Sequence, residues 1–444
     1  MTLRTPTEQS WSDTSSVEDE REPLDVLGVG FGPSNLALAI ALTEAEGPGP
    51  HAHFYERQPR FAWHGGMLLK DATMQVHFLK DLVTLRNPVS PFSFLAYLHA
   101  HGRLVDFINQ KALFPSRVEF HDYLDWTARA CSEYVTYGTE VVRIEPEWVA
   151  SKIEGFRVHL VRTDPSGTRR EVRSARNVVL APGLRPHLPA EAIDSQRVWH
   201  SSELLRRLHD LPRDEPSRIT VVGAGQSGAE VTAYLHAGFP QAEVRSVFSQ
   251  YGYAPADDSP FANRIFDPAA VDEFYGASQP VRDMLVERHA NTNYSVVDQE
   301  LIEQLYRAWY QEKVTGDQRL LISNVSRVVD VQECPEHLKL TIESLLTHER
   351  HEVASDYLVY ATGYRPAAVD ELVHPSILKF CLRDTYGQLQ VNRDYSVCTE
   401  DAVSGRIYLQ GATESTHGLS STLLSNTAVR VGEIADALRS VCAG

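Results

Sequence analysis

The stretch DVLGVGFGPSN (Asp25 to Asn35) follows a short apolar run and opens another compatible with a helix. ITVVGAGQSGAEV (Ile219 to Val231) repeats that arrangement about two hundred residues later. In this context glycines let a backbone approach a pyrophosphate at a helix N-terminus. Two such signatures imply two dinucleotides, most simply a flavin and a nicotinamide. The fold class expected is α/β, with two Rossmann-like domains and a small, mostly helical substrate-binding region.

The first motif places Gly28, Gly30 and Gly32 before Pro33, Ser34 and Asn35, so its sixth position departs from G-x-G-x-x-G. Taken alone it is also explained by a tight turn. The strand before it and Glu56, 26 residues beyond Gly30, strengthen the reading, because an acid at that distance suits a ribose hydroxyl. Gly223, Gly225 and Gly228 match the pattern in full. The strand that follows, EVRSVF, ends near Ser249 and Gln250, where an acid favours NAD and a basic group accommodates the NADP 2′-phosphate. Neither stands there.

Residues 1–22 are rich in Ser, Thr and acids and lack an apolar core, so they read as a disordered tail and not a signal peptide. The first part of an FAD-binding domain is expected over 23–211, an NAD(P)H-binding domain over 212–358 with a substrate-binding insertion at about 255–320, and the rest of the FAD domain over 359–444. Within the first part, Ser90-Pro91 reads as the start of one helix and the capping box Ser116 to Glu119 as the start of another. Alternating apolar and polar residues from Val135 to Leu180, broken by DPSG, read as antiparallel strands.

The 444 residues hold enough chain for two or three domains. A net charge of −17 disfavours nucleic acid and anionic membrane as partners, and no apolar run reaches the length of a membrane span. Five scattered cysteines without a C-x-x-C pair suit neither a disulfide framework nor a metal site, and point to the reducing cytoplasm.

The chain resembles the N-hydroxylating flavin monooxygenases that convert the side-chain amine of L-ornithine or L-lysine to a hydroxylamine. The resemblance rests on GVGFGPSNLALA, FAWHGGMLLKDATMQVHFLKDLVTLRNP, GRLVDFIN, FPSRVEFHDYLDW, GAGQSGAE, DDSPFANRIF, TNYSVV, ATGYRP and THGLSSTLLS in shared order. It implies FAD contacts from Glu56 and Arg57 through Trp63 and His64, from Val141, and from Thr422, Leu423 and Leu424, with Gln75 near the reactive ring. Ala224, Gly225, Gln226 and Ser227, with Ser249, would hold NADPH, and Asn293, Tyr294 and Ser295 would reach its ribose near the flavin. Lys80, Asn263, Arg264, Ile265, Phe266, Asn293 and Ser425 would bind the substrate; Gln75 and Asn293 are the expected catalytic pair.

The same resemblance implies a homotetramer, hydride transfer from NADPH to FAD, and oxygen transfer from a flavin 4a-hydroperoxide to the amine, feeding hydroxamate siderophores or related products. Physical chemistry agrees: a zwitterionic amino acid needs a cation for its carboxylate and neutral acceptors for its α-ammonium. Lys80 could equally be a solvated surface lysine, Asn263 and Asn293 helix caps, and Trp63 and His64 core packing. Ornithine is the leading substrate, ahead of lysine and of putrescine or cadaverine.

Three other classes share parts of this plan. A pyridine nucleotide-disulfide reductase needs a cysteine pair near the flavin, which this chain lacks. A carbon-oxygenating monooxygenase needs F-x-G-x-x-x-H-x-x-x-W, which VWHSSEL does not match. A flavin-binding redox sensor would not couple rapid NADPH turnover to product.

Family members that favour NADPH commonly present an arginine after the second nucleotide strand, where this chain reads FSQYGY. Weaker discrimination, with some use of NADH, is expected. Steady-state kinetics should show a preference for NADPH below about a hundredfold, since a lost ion-paired phosphate contact is worth roughly 1.5 to 3 kcal/mol. A larger preference contradicts this.

Overall fold

Leu24–Val29 becomes a buried parallel strand in the computed structural model, which describes residues 17–18, 22–165, 167–209, 211–289, 292 and 295–442. It lies between Ala52–Glu56 and Gly167–Leu180. Val135–Tyr137 and Ile407–Leu409 extend the parallel sheet on its two sides. The helix Pro33–Glu44 buries every residue from Asn35 to Leu42. A helix apolar all round must be covered all round, and the C-terminal helix Thr427–Cys442 packs along it.

Gly167–Leu180 joins the parallel and antiparallel parts of one mixed sheet. Its first part pairs antiparallel with Lys152–Asp164, which pairs in turn with Thr139–Val149; its last residues pair parallel with Leu24–Val29. The alternation expected over Val135 to Leu180 is therefore an antiparallel meander from Thr139 onward, whereas Val135–Tyr137 pairs parallel with Ala52–Glu56.

The second sheet is wholly parallel, ordered Leu320–Ser323, Ala242–Val247, Ser217–Val222, Tyr357–Tyr360 and Val198–His200. Val198–His200 falls before residue 212, yet it is the edge strand of the second sheet, and the limit at 358/359 falls within Tyr357–Tyr360. Three residues are too few to display a period, so nothing local sets this strand apart from the first part of the FAD-binding domain. A three-stranded antiparallel sheet, Ser326–Glu333, Leu338–Ser344 and Arg350–Ser355, sits between Leu320–Ser323 and Tyr357–Tyr360 in the chain. The helices Pro268–Gly276, Gln279–His289 and Gln299–Thr315 occupy the expected insertion.

The chain crosses between the two sheets as Leu184–Pro186 and returns as Tyr364–Pro366, and these segments pair antiparallel. His187 N–H donates to the Gly363 carbonyl at 3.0 Å. A two-stranded ribbon therefore joins the nucleotide units.

Other local expectations shift by a few residues. The first Rossmann helix begins at Pro33, inside the quoted motif. The helix expected from Ser90-Pro91 starts at Phe94, capped by Ser93, whose Oγ accepts from Ala96 N–H at 3.1 Å. Ser90 Oγ instead accepts from Phe92 N–H at 3.1 Å, closing a turn ahead of the helix, and donates to the Glu44 carboxylate, which also holds Arg86 at 2.7 Å. Ser116 caps as expected, accepting from Glu119 N–H at 3.1 Å. Of the expected tail, Val17–Glu18 pairs with Glu171 and Val172, and the rest up to residue 21 lies outside the described residues.

The insertion in the first unit meets the second unit closely at Gly65–Met67. A Cβ on Gly66 would stand 1.8 Å from the Ser202 carbonyl oxygen, whereas one on Gly238 would meet nothing within 4 Å. Gly66→Ala should lower stability by about 1–3 kcal/mol through overpacking against backbone, and Gly238→Ala should be near neutral. Thermal unfolding of the two variants checks this; equal midpoints would contradict it.

Candidate active site

The first glycine turn is held from three sides. Gly30 has φ +81° and a Cβ there would stand 2.5 Å from the Ala181 carbonyl oxygen, while Gly28 leaves room for the Phe54 ring. Glu56, at the end of its strand, accepts from Phe31 N–H and Gln58 N–H, both at 2.8 Å. Its carboxylate therefore shapes the turn while keeping lone pairs for a ribose. Asn35 Nδ2 donates to the carbonyls of Val29 and Gly30 at 3.1 and 2.7 Å, and Gln410 Nε2 donates to Asn35 Oδ1 at 2.7 Å. That last bond brings the C-terminal segment back to the turn.

This arrangement fits a pyrophosphate. Gly32 is the N-cap of the helix, no side chain caps the free N–H groups, and a Cβ on Gly32 would meet nothing within 4 Å. The closing segment carries buried polar atoms with no partner among the described residues: Gln410 Oε1, Thr413 Oγ1, Ser421 Oγ, Ser425 Oγ and Asn426 Oδ1. Buried polar atoms are normally hydrogen-bonded, so their concentration here suits a polar ligand. Thr422 Oγ1 donates to Glu414 at 2.8 Å, and Leu423 and Leu424 beside it are half-buried. Val141 is buried in the apolar cluster beneath the meander and Arg57 is exposed.

The second turn repeats the logic. Gly223 has φ +143°, and a Cβ there would stand 2.4 Å from the Ala361 carbonyl oxygen; one on Gly228 would stand 2.4 Å from the Gly223 carbonyl oxygen. Ala224, Gly225, Gln226 and Ser227 are all half-buried around the start of the helix Gln226–Gly238, whose N-cap Gly225 again offers uncapped N–H groups. Ser249 is exposed just past Ala242–Val247, and Gln250 Oε1 beside it is buried with no partner among the described residues. Arg245 points to Glu243 and Ser323. Ser295 has φ +56°, and its Cα would lie 3.5 Å from a Cβ on Gly225. Asn293 and Tyr294 lie outside the described residues.

A polar network joins the insertion of the first unit to the second turn, and sequence reasoning missed most of it. Arg117 grips both carboxylate oxygens of Glu230, at 2.8 and 2.7 Å, and donates to the Met67 carbonyl at 3.0 Å. Gln226 Nε2 donates to Glu230 at 3.0 Å and to Asp298 at 2.9 Å, and its Oε1 accepts from Asp298 N–H at 2.9 Å. Gln75 Nε2 donates to the same Asp298 oxygen at 2.7 Å. Gln75 is thus tied to a residue of the insertion and, through it, to the second nucleotide turn. The pair Gln226 and Glu230, four apart on one helix, was the available signal.

Lys80 is half-buried, and no carboxylate among the described residues pairs with its ammonium. Its neighbour Asp81 is already committed, accepting from Val83, Thr84 and Phe94 N–H and from the Thr84 hydroxyl. Asn263, Arg264, Ile265 and Phe266 form the short helix Ala262–Phe266, which packs on Leu419–Thr422 of the closing segment. Asn263 Nδ2 donates to the Asp258 carbonyl at 2.6 Å, leaving its Oδ1 as an acceptor; Arg264 is exposed beside Asp267. Trp63 is half-buried against the core and stacks edge-on with His64 at 4.5 Å. The His64 ring is open to solvent yet walled by protein; desolvation first, then the Arg117 charge, lowers its pKa to about 4.

The sequence pattern of L-lysine 6-monooxygenase/L-ornithine 5-monooxygenase matches residues 22–366. The chain belongs to that family. It is 42% identical over 408 residues to the L-ornithine N(5)-monooxygenase of Burkholderia cepacia, across 90% of this chain and 91% of that one. It is 38% identical over 421 residues to the enzyme of the same name from Pseudomonas aeruginosa, across 93% of both. The ornithine N-hydroxylase of Kutzneria sp. 744, in complex with reduced FAD, NADP+ and L-ornithine, superposes with a TM-score of 0.90 at 43% identity, covering 94% of this chain and 99% of that one.

His417 in the closing segment is wholly buried and stacked on Tyr395 at 4.1 Å, and its Nε2 donates to the Arg393 carbonyl at 3.2 Å. Burial lowers its pKa to about 4. The unfolded chain takes up a proton near pH 6.5 that the folded ring refuses until about 4. Stability is therefore fully present above pH 6.5 and is lost as pH falls toward 4, at ~1.4 kcal/mol per pH unit for this group. Unfolding midpoints measured across this window should fall with acidification, and less steeply in His417→Asn. An unchanged slope in the variant would contradict the assignment.

Proposed function

We propose that this monooxygenase hydroxylates the side-chain nitrogen of L-ornithine, using FAD, NADPH and O2. The single observation that carries the substrate class is Lys80, a half-buried cation with no carboxylate partner among the described residues, in a segment beside the flavin-side core. A lone cation there answers a substrate carboxylate, which an amino acid has and a diamine lacks. Ornithine is favoured over lysine by the relatives' names.

Bound FAD supplies the redox chemistry, taking a hydride from NADPH and passing one oxygen atom of O2 to the amine. The chain positions and shields. Free N–H groups at Gly32–Asn35 and at Gly225–Ser227 take the two pyrophosphates. Glu56 takes the adenosine ribose, and the network from Gln75 through Asp298 to Gln226 fixes the nicotinamide side against the flavin side. Lys80 holds the substrate carboxylate, while Asn263 Oδ1 and Asn293 accept from its α-ammonium. Ser425 Oγ, buried and without a partner among the described residues, lines the same end.

The nitrogen must present a free lone pair, so keeping charge at the Lys80 end and apolar surface at the other favours the neutral amine. We further propose a cytoplasmic homotetramer whose product enters hydroxamate siderophore assembly. No described helix is long and apolar enough to cross a membrane.

Lys80→Ala should raise KM for ornithine by roughly 10- to 150-fold, the equivalent of one charge-assisted contact, with a smaller effect on kcat. Steady-state kinetics check this, and an unchanged KM would sink the Lys80 assignment.

A further inference from the structure

Arg430 is among the largest fully buried side chains of the protein, with 1% of its surface exposed. It sits in the first turn of the C-terminal helix Thr427–Cys442. Its guanidinium donates to the Ser421 carbonyl, to Ser34 Oγ at 3.2 Å and to Thr427 Oγ1 at 3.2 Å, and its Nε has no partner among the described residues. No carboxylate among them pairs with it. The nearest acid along the helix, Glu433, is gripped through both oxygens by Arg393 at 2.7 and 2.8 Å.

A buried cation without an anion is costly, by several kcal/mol even after relaxation. What faces Arg430 explains why one is kept here. Ser34 is the second residue of the Rossmann helix, beside uncapped N–H groups and the open space in front of Gly32. Its hydroxyl accepts from Arg430, so its own proton is left for an acceptor on the cofactor side. The other arm of the guanidinium holds the Ser421 carbonyl in the segment carrying Thr422 to Ser425.

We propose that Arg430 is the buried counter-charge of the FAD pyrophosphate, acting through the Ser34 hydroxyl, and that it ties flavin binding to the placement of the closing segment. The proposal rests on the flavin reading of the first turn. Arg430 is a positioning residue: its charge reaches the diphosphate through Ser34 while its second arm sets Ser421. In the apoprotein the cation is uncompensated, and in the holoenzyme the diphosphate balances it.

The test compares Arg430→Gln, which keeps a donor for Ser421 but removes the charge, with Arg430→Lys, which keeps the charge. FAD affinity is titrated on deflavinated full-length protein, and thermal midpoints are measured with and without FAD. We expect Arg430→Gln to weaken FAD binding at least tenfold and shrink the FAD-dependent rise in midpoint, with Arg430→Lys retaining most of both. FAD affinity within twofold of wild type in Arg430→Gln, or equal losses in the two variants, would overturn the proposal. If either variant fails to fold, Ser34→Ala decides: it should weaken FAD binding several-fold and shrink the rise in midpoint, and no change in both would overturn the proposal. Wild-type protein that binds no FAD would instead refute the flavin reading itself.

Discussion

The bidentate contact between Arg117 and Glu230 is the constraint on which the working arrangement depends. Hydride transfer between two dinucleotides requires their reactive ends in contact, and the two glycine turns stand in separate sheets. The paired ribbon Leu184–Pro186 and Tyr364–Pro366 joins those sheets, and Met67, Leu69 and Ala72 of the insertion pack into the core of the second. Arg117 belongs to the insertion of the first unit, and Glu230 stands two residues after the last glycine of the second motif. Both side chains are largely buried, at 12% and 5% exposure. A buried ion pair contributes little net stability over an apolar pair, but breaking one half costs about 3–5 kcal/mol. Its effect is to make one relative placement of the domains much better than others.

That bolt extends into the substrate region. Glu230 is shared with Gln226 at the mouth of the second turn, Gln226 with Asp298, and Asp298 with Gln75. The residue expected beside the flavin and a residue expected beside the nicotinamide thus meet on one carboxylate, at the start of the helix Gln299–Thr315. On the opposite side the closing segment joins the first turn through Gln410 to Asn35 and through Arg430 to Ser34.

Much of the fold was legible because its signals are local. Gly30 needs a positive φ, Gly223 and Gly228 permit backbone contacts no Cβ allows, and Ser116 caps the helix that the S-x-x-E spacing announces. The errors arose where a distant group intervened. Ser90 and Ser93 are equivalent helix starts by composition; Ser90 closes a turn on Phe92 N–H while held by the distant Glu44, and Ser93 caps the helix at Ala96 N–H. Val198–His200 is not legible as part of the second sheet because pairing with Tyr357–Tyr360 is what makes it a strand. Arg117 to Glu230 spans 113 residues and Ser34 to Arg430 spans 396, distances at which no local pattern operates. Arg430 did leave a trace: it shares the i, i+4 face of buried Ile434 and Leu438, where a charge is out of place unless something answers it.

The central claim is a coupled N-hydroxylation of ornithine. The most direct measurement sets hydroxylamine formed against NADPH consumed by the FAD-loaded protein, offered ornithine, lysine, putrescine and cadaverine separately. Hydroxylamine matching NADPH with ornithine, and falling well short of it with the other three amines, is the result expected. NADPH consumed with only hydrogen peroxide released for all four, or matched product from a diamine alone, would contradict the account.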